Sequence, residues 1–301
     1  MASQLAVTVI IPVYNGAEYL AETIESVLAQ SLPPAAVLVI DDGSSDDSAS
    51  IVRAYEPRVR LYSRSNAGVS ASRNFGAQEA ETEWIHFLDQ DDVWLPDHLA
   101  LQKGALMRQL GADACYTGRR NLVRSKATGT FVPTGPVAIP TPEEYVSTVM
   151  DRCPGNPSTI CMRRSAFLAA GGFNGQYDSI EDWDLWIRLV QHGVRFACSP
   201  EPSVLYRVHD ASATNNPLPV LKRSAAVVRQ TVMPKLPFTV RHLHGQRVIS
   251  RLEGEAAILL RQNRLPGALP LMLKSIARHP FHEARRYKIA THMLLQRLKA
   301  A

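Results

Sequence analysis

Three carboxylates fall within four residues at Asp89-Gln90-Asp91-Asp92, directly after the apolar run Trp84-Ile85-His86-Phe87-Leu88. The run is short, aromatic and β-branched, which predicts a buried strand ending at the acids. Carboxylates held this close repel one another and resist desolvation. A divalent cation removes that conflict, and Asp89 and Asp91 are spaced to share one ion or its water shell. The competing reading is an exposed acidic turn that starts a helix beyond Pro96. Asp92 is assigned to that second role, as a cap. His86, inside the strand, is expected to face the core.

A second acidic pair, Glu181-Asp182, opens the amphipathic stretch Trp183-Asp184-Leu185-Trp186-Ile187-Arg188-Leu189. Acids at that place either complement a helix dipole or supply a general base. Trp183 and Trp186 read as packing residues. Later, Arg207 and His209 close a strand-like run. For them a phosphate or metal role competes with an ordinary ion pair and a strand-end histidine.

The elements that must carry these residues alternate. Val7-Thr8-Val9-Ile10-Ile11 predicts a central strand that closes before Pro12. A loop over Val13–Gly16 leads to a helix at 17–30 with an apolar stripe of Leu20, Ile24, Val27 and Leu28. Val37–Ile40 is a second strand, and it too runs into acids, Asp41-Asp42-Gly43-Ser44-Ser45-Asp46. A helix, a strand, a helix and a strand follow at about 47–55, 59–62, 71–81 and 84–88. This order predicts a parallel sheet with helices on both faces. Such sheets bind ligands outside the carboxyl ends of their strands. Tyr14-Asn15, Asp41-Asp42, Asn66 and Asp89-Gln90-Asp91 all sit at such ends. Neither Gly-x-Gly-x-x-Gly nor Gly-x-x-x-x-Gly-Lys follows the first strand, which argues against a dinucleotide fold and a P-loop ATPase.

Beyond a helix at 96–110, residues 117–142 read as irregular strands and loops. A helix at 143–152, the turn Pro154-Gly155-Asn156-Pro157-Ser158, a strand at 159–162 and a short helix ended by Gly171-Gly172 come next. Two further strands are expected at 194–198 and 204–206. Residues 217–301 read as helices broken at Pro234, Pro237, Pro266 and Pro280.

Length and composition fit a globular protein with one large domain and an appendage: 301 residues, 46% hydrophobic and 20% charged. No run of about eighteen apolar residues predicts a membrane span. The first residues lack the features of a signal peptide, and the four scattered cysteines lack a CxxC; both point to a cytosolic setting with reduced thiols. The net charge of +5 is unevenly placed. Residues 219–301 hold 16 Lys/Arg and 3 Asp/Glu, a net of +13, whereas residues 1–218 hold 17 and 25, a net of −8. The basic region suits an anionic surface such as a membrane leaflet, or it is simply a solvated helical face.

Taken in order, Val9-Ile10-Ile11-Pro12-Val13-Tyr14-Asn15, Asp41-Asp42-Gly43-Ser44-Ser45-Asp46, Asn66-Ala67-Gly68 with Ser72-Arg73-Asn74, Asp89-Gln90-Asp91-Asp92 and Glu181-Asp182-Trp183-Asp184 resemble the family 2 glycosyltransferases of GT-A fold. The resemblance spans about residues 7–210. It implies an α/β fold with a mixed, mainly parallel sheet flanked by helices, over residues 1–215. Within this, 1–110 would bind the nucleotide and 111–215 the acceptor, with a basic helical C-terminal region at 216–301. Pro12, Tyr14 and Asn15 would lie in the nucleotide loop. Asp42, with Asp41, would accept from the base, which favours uracil or thymine. Asn66, Arg73 and Gln90 would line the donor site, with Arg73 near base or phosphate. Asp91 would contact Mg²⁺ or Mn²⁺, and Asp89 the ribose or the ion's outer shell. Arg207 and His209 would lie near the diphosphate, with His209 on metal or phosphate. Asp182 would be the catalytic base.

The implied reaction is inverting transfer of a sugar from a nucleotide diphosphate to an acceptor hydroxyl, in cell-surface polysaccharide or glycoconjugate synthesis. The leaving diphosphate needs positive charge, and the acceptor needs a base. The implied partners are the nucleotide-sugar donor and a saccharide or lipid-linked saccharide, with no nucleic acid. The basic helices would serve peripheral contact with the inner membrane face or a homodimer. Two alternatives stand beside this: a nucleotidyltransferase of similar fold, and a binding protein that kept the fold without the activity.

Overall fold

The computed structural model describes residues 5–177, 179–209, 217–235, 245–263, 265–280 and 285–300. The chain divides into two compact units, Met1–Asp210 and Ala211–Ala301. The expected boundary at 215/216 and the break at Pro237 lie outside the described residues.

The first unit is built on β1 (Val7–Val13), β2 (Ala36–Asp41), β3 (Arg60–Ser63) and β4 (Trp84–Phe87), which pair in parallel in the order β3-β2-β1-β4. All seven residues of β1 are buried, as a central strand covered on both faces must be. Pro12 lies inside β1, opposite Ile40, and not beyond its end. The Ile10 carbonyl accepts from Leu88 N–H, so the even-numbered residues of β1 turn their backbone to β4. That ladder ends at Ile10–Phe87. Pro12 therefore lacks an N–H only where no partner strand continues, while Val13 still pairs with β2.

Helices α1 (Leu20–Leu28), α2 (Ser48–Arg53) and α3 (Val69–Glu79) connect these strands. On α1 the buried set is Leu20, Thr23, Ile24 and Val27; Thr23 takes the place expected for Leu28. Its hydroxyl lies 2.9 Å from both the Gln90 and Asp92 carbonyls, so α1 fastens the acidic loop. On α3, Gly76 lets the helix approach the sheet. A Cβ there would overlap Ile10 Cγ2 and lie 3.2 Å from Ile40 Cγ1. Gly76→Ala is expected to destabilise the fold by about 1–3 kcal/mol, because overpacking outweighs the helix propensity gained. A urea midpoint equal to wild type would count against this.

Among the described residues the sheet extends to nine strands. The added strands are β5 (Val93–Trp94), β6 (Ala114–Arg124), β7 (Phe131–Val137), β8 (Ile160–Arg163) and β9 (Phe196–Val208). Residues 117–142 are thus not irregular: β6 and β7 form a hairpin there, and β6 also runs parallel to β9. The two strands expected at 194–198 and 204–206 are one. Pro200 and Pro202 are accommodated by a register shift opposite Gly118, whose absent Cβ would sit 2.7 Å from the Pro200 carbonyl. Helices α4 (His98–Arg108), α5 (Pro142–Asp151), α6 (Arg164–Ala169) and α7 (Glu181–Gln191) complete the unit.

The second unit contains α8 (Pro217–Val227), α9 (Gln246–Gln262), α10 (Ala268–Arg278) and α11 (Arg285–Ala300). Ala257, Met272 and Ala290 form its small core. Glu253, nearly buried, pairs with Arg229 at 2.7 Å and Arg278 at 3.1 Å. Among the described residues no helix is long and apolar enough to cross a membrane.

Candidate active site

The polar strand ends converge as the alternation requires. Tyr14 follows β1 and is 51% exposed. The Gln90 side chain accepts from Tyr14 N–H at 2.8 Å and donates to its carbonyl at 3.3 Å. Gln90, expected at the donor, thus has its amide on the loop that presents Tyr14. Asn15, at positive φ, accepts from Ser45 N–H at 2.8 Å, and its own N–H meets Ser44 Oγ at 3.0 Å. Those bonds lock the loop after β1 to the loop after β2. Asp41 accepts from Ser44 N–H at 2.9 Å. Asp42 accepts from Ala67 and Gly68 N–H at 3.1 and 2.8 Å, fixing the carboxylate against the loop after β3, where Asn66 is exposed. Each Asp42 oxygen keeps a further acceptor direction. Gly43 is required by this approach, with φ of 80° and Asn66 N 3.0 Å from where a Cβ would stand.

The three acids after β4 take three different places. Asp89 pairs with Arg73 at 2.6 Å. Asp91 pairs with His209 Nε2 at 2.8 Å, across 118 residues of chain. Burial pushes the Asp91 carboxyl up, Asp89 adds to this, and His209 opposes it. Asp92 is not a helix cap. It is fully buried and accepts from Ser158 Oγ at 2.6 Å, Asn156 Nδ2 at 3.1 Å and Arg207 N–H at 3.0 Å. Burial, then Asp91 and Asp89, push its carboxyl well up. It joins the acidic loop to the 154–159 turn and to β9. Arg207 in turn donates to the Asp91 carbonyl at 2.9 Å and to Glu22 at 2.5 Å, between the rings of Tyr19 and Phe131. His86 lies in the core as expected, 2.9 Å from His98 Nε2. Burial pushes it down to about 3, so it is neutral.

Arg73 is buried, and its guanidinium bridges Asp89 to Glu181 at 2.6 and 2.7 Å with its plane near Phe173. Burial opposes its charge, but the two carboxylates outweigh burial and hold Arg73 above its ordinary value. This bridge carries the first half of the chain to α7. Three acids stand in the first turn of α7. Glu181 has Arg73, and Asp184 has Arg188 at 2.7 Å. Asp182 alone of the three has no ion-pair partner within 4 Å among the described residues. Its Oδ1 accepts from Trp183 N–H at 2.6 Å, and its Oδ2 lies 3.6 Å from Cys153 Sγ. Burial pushes its carboxyl up to about 7 and the Glu181 charge adds to this, against Trp183 N–H, Arg73 and Cys153. Trp183 and Trp186 are packing residues, with indole N–H groups on the Val149 and Gly155 carbonyls.

Sequence reasoning missed Glu22, Tyr19, Phe131, Asn156, Ser158 and Cys153. The one available signal was Asn156-Pro157-Ser158, polar residues in a turn that enters a buried strand.

Among the described residues no group of three or more His, Cys, Asp or Glu is placed to hold a metal. A carboxylate beside an imidazole suits a manganese-like ion, with its other ligands from phosphate and water, better than magnesium, which takes oxygen ligands. Asp91 and His209 offer one oxygen and one nitrogen at a single point.

The profile of glycosyl transferase family 2 matches residues 8–135. E. coli chondroitin synthase is 29% identical over 195 residues, which are 62% of this chain and 27% of that protein. The E. coli UDP-Glc:alpha-D-GlcNAc-diphosphoundecaprenol beta-1,3-glucosyltransferase WfaP is 25% identical over 225 residues, 74% of this chain and 85% of that one. The structure of S. aureus TarS 1–349 in complex with UDP-GlcNAc superposes with a TM-score of 0.64 at 17% identity, over 91% of this chain and 81% of that one. The fold is that of the GT-A glycosyltransferases. Over residues 8–135, less than half of the chain, the sequence is similar to glycosyltransferase family 2. It spans under a third of the longer relative, chondroitin synthase.

Proposed function

We propose that the enzyme transfers a sugar from a UDP- or dTDP-sugar to a hydroxyl of a saccharide or lipid-linked saccharide, with inversion, in surface polysaccharide or glycoconjugate synthesis. The observation that carries this reading is the Arg73 bridge between Asp89 and Glu181. It couples the acids after β4 to the turn that holds Asp182. WfaP, by its name, uses UDP-glucose and a diphosphoundecaprenol acceptor, and TarS binds UDP-GlcNAc; both fit the donor and acceptor classes.

Asp42 accepts the N3–H of uracil or thymine, beside the exposed ring of Tyr14. Asp91 and His209 would hold Mg²⁺ or Mn²⁺, and Asp89 faces the ribose side. A divalent ion bound there supplies positive charge for the leaving diphosphate. Asp182 takes the acceptor proton as the new C–O bond forms and the bond to the diphosphate breaks. The basic helices of the second unit serve the inner membrane face or a dimer contact.

Calorimetric titration with UDP-, dTDP- and GDP-sugars in Mn²⁺ tests the donor. UDP or dTDP forms are expected to bind at least about tenfold tighter, a difference of about 1.4 kcal/mol; a preference for GDP-sugars would remove Asp42 from this role. The pH profile tests the base. The Asp182 carboxyl sits at about 7 and works only when ionised. kcat/KM should therefore fall about tenfold per unit below that value and level off above it. A profile flat from about pH 5.5 to 8 would exclude Asp182 as the titrating base.

A further inference from the structure

We propose that the Cys153 thiol is a positioning residue for the Asp182 carboxylate, holding Oδ2 while Trp183 N–H holds Oδ1. The inference rests on the reading of Asp182 as the base. The two contacts differ in origin. Trp183 N–H comes from α7 itself, at 2.6 Å, and travels with the carboxylate. Cys153 comes from the loop after α5, with Sγ 3.6 Å from Oδ2. It is therefore the contact that ties the carboxylate to a second element. The Gly155 carbonyl, 3.1 Å from Sγ, is the other acceptor for the single thiol proton, and it already accepts from Trp186 Nε1 at 3.1 Å. Loop and helix are thus joined at Asp182 and again one turn on, at Trp186.

The groups acting on this pair are few. On α7, Glu181 adds negative charge, and from α3 Arg73 adds positive charge. From α5, Tyr145 interacts with both Asp182 and Cys153; its hydroxyl is buried with no hydrogen-bond partner among the described residues. From β6, Arg119 acts on the thiol. Surrounding protein pushes the thiol well up, although part of the residue reaches solvent, and the Asp182 charge adds to this. Cys153 therefore stays protonated, a donor and not a second anion. A donor to the carboxylate favours its ionised form.

The test compares wild type, Cys153→Ser and Cys153→Ala. The Asp182 titration midpoint is read by carboxyl carbon NMR on aspartate-labelled protein, the signal being assigned by its loss in Asp182→Asn. Release of UDP from UDP-GlcNAc in Mn²⁺, with water as acceptor, gives the rate against pH. In Cys153→Ala the midpoint should rise by about half a unit, roughly threefold in proton affinity, and the acid limb of the rate should move with it. Cys153→Ser keeps a donor and should stay near wild type or below it. Equal midpoints in all three proteins would overturn the proposal. A midpoint that moves while the limb stays fixed would uphold the contact and reject Asp182 as base.

Discussion

Asp182→Asn is expected to cut sugar transfer by about 10²–10⁴-fold, the range of a lost general base, and to leave the donor dissociation constant within about twofold. Glu181 is committed to Arg73 and Asp184 to Arg188. A carboxylate already paired with a guanidinium is a poor proton acceptor, because the cation favours its ionised form. Asp182 has no such partner among the described residues, and burial brings it to about 7, where an acid can both lose and regain a proton near neutral pH. Asparagine keeps the shape and the acceptor for Trp183 N–H but cannot take a proton. Donor affinity should survive because Asp42, Asp89 and Asp91 lie on other elements. Calorimetry with the donor and release of nucleoside diphosphate give the two numbers. If affinity falls by the same factor as the rate, Asp182 binds the donor and is not the base. Asp184→Asn serves as the contrast: it breaks an ion pair on the same helix and should lower stability without removing the pH dependence.

The alternating half of the fold was legible because its strands are continuous buried β-branched runs, Val7–Ile11 and Val37–Ile40, each ending in polar residues. In a parallel sheet those ends must lie on one edge, so the site's first four clusters followed from order alone. The second half was not legible for a physical reason. β6 is apolar over Ala114–Tyr116, then runs Thr117-Gly118-Arg119-Arg120-Asn121 before Leu122-Val123, and β9 contains Pro200 and Pro202. Their pairing is set by each other's irregularities, Gly118 against Pro200, which no local pattern reports. Asp92 was misplaced for a related reason. As a cap it would need only its own helix; as a buried acceptor it needs Asn156, Ser158 and Arg207, brought in from segments 64 to 115 residues away. Arg73 was placed at the donor, and its bridge to Glu181 depended on a fold contact across 108 residues.

That bridge gives the second large effect. Arg73→Met is expected to destabilise the first unit by about 3–5 kcal/mol, the usual cost of removing one partner from a buried ion pair, and to abolish transfer. Methionine fills most of the volume, so the loss comes from electrostatics. Asp89 and Glu181, 2.6 and 2.7 Å from the guanidinium, would be left facing one another with no cation between them. Arg73→Lys should recover only part, because a single ammonium cannot fork to two carboxylates as the planar guanidinium does. The informative partner is the triple variant Arg73→Met, Asp89→Asn, Glu181→Gln. Removing all three charges takes away the repulsion, so stability should return to within about 1 kcal/mol of wild type, while transfer should stay lost if Asp89 has the proposed place in the donor site. Urea unfolding of the four proteins decides the point. If the triple variant is as unstable as Arg73→Met, the guanidinium acts through its packing on Phe173, and the charge bridge is not what holds α7 to the acidic loop.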